Sequence, residues 1–177
     1  MKRIFIIIFW QIELNSSSLK IFFSLGSTNT NSLQTKLLPS TFAPGLLLSA
    51  NLFVATPDGK HIVSGGHWDN SLRVFNIHKG RYVASVIRHI DIVTCVSVCG
   101  HLVMSGSLDT TSIIWDVSAS ITTLRPLQVL AGHDKSVKCV ALSAELDMAA
   151  SGSEDGTVNV YSIKEGQFLR TLKPPTT

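Results

Sequence analysis

The sequence predicts an all-β fold, and three observations carry the prediction. A short pattern recurs three times. It runs Ser64-Gly65-Gly66-His67-Trp68-Asp69 into residues 70–75, then Ser105-Gly106-Ser107-Leu108-Asp109 into 110–115, then Ser151-Gly152-Ser153-Glu154-Asp155 into 156–161. An aromatic residue (Phe75, Trp115, Tyr161) stands six positions after each Asp, and Asp69, Asp109 and Asp155 are 40 and 46 residues apart. The apolar runs between these landmarks are short, β-branched and bounded by Gly, Asp, Asn or Pro, as strands are. No stretch sustains a helical period.

Each unit divides into four such runs. They cover residues 52–56, 61–65, 71–77 and 82–87, then 93–98, 102–107, 111–117 and 127–130, then 137–143, 147–153, 157–163 and 167–172. Pro57-Asp58-Gly59 and Glu154-Asp155-Gly156 are turns with a mechanism: Asp accepts from nearby backbone N–H groups and Gly supplies positive φ. The third runs align in columns, with Val74, Ile114 and Val160, then Phe75, Trp115 and Tyr161, then Ile77, Val117 and Ile163. A strand apolar on both faces must lie between two layers. Four short strands repeating at about 40–45 residues are the mark of a propeller blade. The expectation is a partial β-propeller of three four-stranded antiparallel blades, at residues 50–88, 89–132 and 133–175. Residues 1–49 are expected to be an irregular extension, with the Ser/Thr/Asn-rich stretch 24–36 as linker.

Length sharpens this. Propellers have about 4–8 blades, and 177 residues hold three plus a tail. Three blades cannot close a ring at normal twist, and the outer faces of the first and third would expose apolar sheet. The expected partners are therefore the remaining propeller blades in cis, or other copies by oligomerisation, and a piece of a longer protein is the favoured reading.

Hydrophobic residues make up 45% and charged residues 15%, which excludes a polyelectrolyte disordered chain. The net charge of +3 belongs to residues 1–50, with four Lys/Arg against one Glu, while residues 51–177 carry eleven of each sign. The repeats have no net pull toward nucleic acid or an anionic membrane. Lys2-Arg3 before the apolar run 4–10 resembles the start of a signal peptide. Gln11, Glu13 and Asn15 follow where a cleavage site should be, and the run is too short to cross a bilayer as a helix; no direct membrane insertion is expected. Three cysteines, with no Cys-x-x-Cys pair, argue against a disulfide framework or zinc ribbon. Cys95 and Cys139 hold equivalent positions in two units and read as core strand residues with reduced thiols.

At these residues the sequence resembles WD40-repeat proteins. Trp115-Asp116 is the WD dipeptide, Gly132-His133 opens the third unit, and Arg88-His89 stands in the equivalent place before the second. The resemblance implies a buried His–Ser–Asp–Trp tetrad in each well-formed blade. His89, Ser105, Asp109 and Trp115 supply the full set. His133, Ser151 and Asp155 are joined by Tyr161 in place of Trp. Ser64 and Asp69 are joined by Phe75, with one extra residue between Ser and Asp and no matching Gly-His upstream. Residues 64–74, 89–95 and 144–175 further resemble the C-terminal propeller of BEACH–WD40 proteins of the neurobeachin-like branch. That implies a scaffold in vesicle and granule trafficking, cytoplasmic and peripheral to endomembranes through the full-length protein. An independent WD40 adaptor in signalling or ubiquitin-linked complexes is the alternative.

Ser105, His89 and Asp109 also invite a Ser-His-Asp hydrolase reading. The same trio recurs at Ser151, His133 and Asp155, and active sites do not repeat once per structural unit as packing solutions do. No nucleophile-elbow signal accompanies them. The expectation is no catalytic residue, no metal and no cofactor, with proteins as partners and no nucleic acid. Trp68, Arg73 and Arg88 are the candidate partner contacts, because Trp and Arg dominate binding hot spots. His67-Trp68 lies in a turn where side chains can be exposed; the usual burial of tryptophan favours Trp68 capping the blade edge instead.

Overall fold

The computed structural model describes residues 9–15, 18–24, 33–37, 41–46, 49–117 and 119–174, in two units, Met1–Phe42 and Ala43–Thr177. In the first unit, β1 (Phe9–Asn15), β2 (Ser18–Ser24) and β3 (Leu33–Leu37) form a three-stranded antiparallel meander. This corrects the expectation of an irregular extension. The overlooked signal is strict alternation: Trp10, Ile12 and Leu14 alternate with Gln11, Glu13 and Asn15, which is the period of a half-buried strand. The register sets Trp10 opposite Phe23, Ile12 opposite Ile21 and Glu13 opposite Lys20. The supposed linker 24–36 thus overlaps β2 and β3, and the signal-like residues 2–8 lie outside the described residues.

The second unit is three four-stranded antiparallel meanders. Blade 1 contains β4 (Phe53–Ala55), β5 (His61–Ser64), β6 (Ser71–Asn76) and β7 (Arg81–Ile87). Blade 2 contains β8 (Val93–Cys99), β9 (Leu102–Ser107), β10 (Ser112–Asp116) and β11 (Arg125–Leu130). Blade 3 contains β12 (Val137–Ser143), β13 (Met148–Ser153), β14 (Val158–Ser162) and β15 (Phe168–Leu172). One irregularity repeats in all three. The register shifts between Val74 and Phe75, between Ile114 and Trp115, and between Val160 and Tyr161. A bulge there adds local twist, just before the aromatic.

The two-faced apolar third strand is explained by packing on both sides. Ile113 and Trp115 of β10 face blade 1, in a cluster with Val63, Leu72 and Val74. Ile114, between them, faces blade 3, in a cluster with Ala149, Tyr161 and Ile163. Successive side chains of a strand point to opposite faces, so one strand feeds two cores.

The blades approach closely where a glycine leaves room. A Cβ on Gly65 would lie 2.6 Å from Val93 Cγ1, and one on Gly106 would lie 2.6 Å from Val137 Cγ1. The Thr94 hydroxyl also donates across the second junction to the Val137 carbonyl.

Buried polar networks and an exposed rim

In blade 2, β9, β10 and the β7–β8 turn converge on one buried chain of hydrogen bonds. Trp115 Nε1 donates to Ser105 Oγ at 2.9 Å, and Ser105 Oγ is 2.8 Å from His89 Nε2. His89 Nδ1 is 2.9 Å from Asp109 Oδ2. A carboxylate only accepts, so Nδ1 carries the proton, Nε2 accepts, and the serine hydroxyl donates to it. Asp109 also accepts from the Thr111 hydroxyl at 2.6 Å, the Thr111 amide at 2.9 Å and the Ile90 amide at 3.0 Å. Burial would raise this carboxyl, but the bonds from Thr111 and His89 outweigh it and hold it below the usual range. Burial lowers His89, against the pull of Asp109, and favours neutral imidazole.

Blade 3 keeps most of this. His133 Nδ1 donates to Asp155 Oδ2 at 3.0 Å, and His133 Nε2 lies 2.8 Å from Ser151 Oγ. Thr157 and the Asp134 amide complete the shell of Asp155. Tyr161 is buried, but its hydroxyl donates to the Ala131 carbonyl at 3.3 Å instead of reaching Ser151.

Blade 1 departs from the pattern. Its histidine comes from the β5–β6 turn: His67 Nε2 lies 2.9 Å from Ser64 Oγ, and the side chain is 0% exposed. The extra residue between Ser64 and Asp69 gives the turn enough chain to fold His67 inward. Asp69 is then released from histidine. It accepts from Ser71 Oγ at 2.5 Å and from Arg73 Nη2 at 2.7 Å. Arg73 lies over the Tyr82 ring at 5.4 Å, and His67 and Phe75 meet the same ring edge-on. Arg73 is therefore consumed internally, its side chain 15% exposed. The sequence signal for this rearrangement is His67 inside a turn lengthened by one residue.

Trp68 is placed oppositely. Once His67 points in, its neighbour points out, 63% exposed, so the capping arrangement does not occur. The Cys139 expectation also fails. Cys95 is buried, its thiol pushed up to about 11 by desolvation, whereas Cys139 is exposed. The physical reason is that Val137 covers the Cys95–Gly106 position, while among the described residues the Cβ of a residue at 152 would meet only Cys139 and Val158 of its own blade.

The arrangement has little catalytic capacity. Ser105 is 0% exposed, and its hydroxyl oxygen already serves both Trp115 and His89. Among the described residues no three His, Cys, Asp or Glu side chains converge on a metal position, and no helix is long and apolar enough to cross a membrane. At the other end of the strands, His101, Leu127, Gln128, Asp147 and Lys164 line an open groove of about 350 Å3 between blades 2 and 3. Gln128 Nε2 donates there to the Ile163 carbonyl at 2.8 Å and ties the blades together.

Three four-stranded repeats stacked face to face agree in fold with the comparisons. Residues 13–177 match the neurobeachin β-propeller domain. The chain belongs to that family. BEACH domain-containing protein B of Arabidopsis thaliana is 33% identical over 184 residues, covering 91% of this chain and 7% of that protein. BEACH domain-containing protein lvsE of Dictyostelium discoideum is 36% identical over 130 residues, covering 70% of this chain and 6% of that one. A putative neurobeachin homolog of Caenorhabditis briggsae is 28% identical over 166 residues, covering 83% and 6%. Among solved structures, that of U3-55K superposes with a TM-score of 0.63 at 25% identity, covering 73% of this chain and 41% of its own. The computationally designed Ika4 protein gives 0.58 at 28%, covering 73% and 76%. The neurobeachin-type chain is thus a WD40 propeller protein of three described blades, on a fold that generally binds proteins. It spans only a small share of its curated relatives.

Proposed function

We propose that this chain is part of the C-terminal propeller of a large BEACH–WD40 protein. There it acts as a non-catalytic protein-interaction scaffold in vesicle and granule membrane trafficking, in the cytoplasm and peripheral to endomembranes. The observation that carries the reading is the uncovered face of blade 3. Gly65 lies under Val93 and Gly106 under Val137, yet among the described residues nothing from another blade lies within 4 Å of a Cβ placed on Gly152. An apolar blade face of this kind is a liability unless another sheet covers it. A further blade with a β-branched residue at the Val93 and Val137 position would fill it. The family match, residues 13–177, takes in β2 and β3 of the N-terminal unit as well as the three blades. The small share of the curated relatives covered supports a longer parent protein. The occupied hydroxyl of Ser105 supports a structural tetrad.

Immunoblotting native extracts with an antibody to this chain tests the proposal. The expected product is far larger than 19.2 kDa, reacts with an antibody to a BEACH domain, and partly sediments with endomembranes. A product of 19.2 kDa lacking BEACH sequence would overturn it in favour of an independent adaptor. Labelling of Ser105 by a covalent serine probe would overturn the non-catalytic assignment.

A further inference from the structure

Trp68 is exposed on a loop that is locked in place. The Gly66 amide donates to the Val93 carbonyl at 2.7 Å, and the Ala43 amide donates to the Gly66 carbonyl at 2.8 Å. His67 is anchored on Ser64, and the Asn70 amide closes a turn on the His67 carbonyl at 3.1 Å. Asn70 takes positive φ (62°), and its side-chain Nδ2 reaches across to blade 2, donating to the Ile90 carbonyl at 3.1 Å. Ile90 is itself pinned, its amide donating to Asp109 Oδ2.

The clasp between Asn70 and Ile90 joins two loops that both present bulky side chains to solvent. Ile90 is 86% exposed, and Ile87, whose register partner is Ser71, is 62% exposed. Arg88 stands between the two isoleucines and forms no ion pair among the described residues. Of the nearby carboxylates, Asp69 pairs with Arg73 and Asp109 with His89, while Asp91 Oδ1 accepts from the Ile92 amide at 2.7 Å. An exposed Trp on a pinned loop, tied through Asn70 to a loop that carries two exposed isoleucines and an Arg outside any ion pair, has the composition of a binding hot spot. Its pinned backbones remove the ordering cost that a mobile loop would incur on binding.

We propose that Trp68, Ile87, Arg88 and Ile90 form a docking surface for a partner segment in which a carboxylate is flanked by bulky apolar residues. The carboxylate faces the Arg88 guanidinium, and the apolar side chains cover Trp68 and the two isoleucines. This rests on the protein-interaction reading above and names the chemistry of its partner.

Two sets of short synthetic peptides test it, one combining Glu with Leu and Phe, the other with Lys replacing every Glu, against the full polypeptide. The Glu set binds and shifts the emission of Trp68. Trp68→Ala weakens that binding about tenfold or more, and R88E exchanges the preference toward the Lys set. Both positions are exposed, so melting is unchanged. Equal binding of the two sets, or undiminished binding in W68A, overturns this surface and leaves the scaffold reading intact. Self-association abolished by W68A overturns it in favour of a second copy. If neither set binds, this surface is overturned, and the scaffold reading is judged on the native polypeptide alone.

Discussion

His67 Nε2 lies 2.9 Å from Ser64 Oγ, three residues away along the chain, whereas His89 and His133 reach Ser105 and Ser151 from 16 and 18 residues upstream. Blade 1 has replaced a long-range polar contact with a local one. Its Asp is thereby uncoupled from its His and paired with Arg73. The carboxylates of the three blades should therefore differ in energetic weight.

Asp109→Ala removes a buried carboxylate with four hydrogen-bond donors pointed at it and should cost about 3 kcal/mol. Asp69→Ala breaks a partly solvated pair with Arg73 and should cost about 1 kcal/mol. Urea denaturation of the two variants beside wild type reads the difference. Equal losses would show that blade 1 is held as blade 2 is.

Acid should destabilise the chain in two stages. His89 is depressed below 6.5 by burial, so between its folded pKa and 6.5 the unfolded chain binds more protons. Stability falls as pH drops through that window. His61, also lowered by burial, acts in the same direction. Asp109 and Asp155 lie below 3.8, so the stability they contribute is present above 3.8 and is lost as pH falls below it. Melting temperature followed from pH 8 to pH 3 should show both stages, and His89→Gln should flatten the upper one.

Trp115→Phe should cost about 2–3 kcal/mol, because it leaves a cavity at a fully buried site and takes from Ser105 its indole donor. The corresponding change Tyr161→Phe should cost less, about 1 kcal/mol, since only the bond to the Ala131 carbonyl is lost. Thermal melts of both variants give the comparison.

Gly106→Ala should destabilise by about 1–3 kcal/mol, as overpacking against Val137 does in a filled core. Among the described residues Gly152→Ala meets only the exposed Cys139 side chain and Val158, and should cost less in this chain. In the longer polypeptide proposed above, a further blade over blade 3 should raise that cost to the Gly106 value, read by melting that polypeptide beside the 177-residue chain.

Cys139 should alkylate rapidly with iodoacetamide at neutral pH while Cys95 stays protected, being buried with its thiol pushed up to about 11. Mass spectrometry of the labelled chain distinguishes them. Protection of Cys139 in the longer polypeptide proposed above would place another blade over it.

The blades were legible because their signals are local. Strand alternation, turn residues and the Ser–Asp–aromatic spacing are each set within a few residues, and the third-strand columns already implied layers on both sides. The β1–β3 meander was equally local, in the alternation from Trp10 to Leu14, but the apolar residues before it suggested a different segment. The tetrads of blades 2 and 3 were legible because His, Ser and Asp recur at matching positions.

What the sequence by itself determined is the strand order, the repeat and the buried His, Ser and Asp residues of blades 2 and 3. Only the tertiary structure decided the fates of His67, Trp68, Arg73 and Cys139. Turning His67 into the core requires Ser64 and Tyr82 to be in place around it, and that turn sends Trp68 to solvent. Arg73 is consumed because Asp69 is free to take it. Cys139 occupies the same strand position as Cys95, but burial belongs to the neighbouring sheet rather than to the residue. Residue type and spacing specify what a side chain can do; which atoms lie across the gap decides what it does.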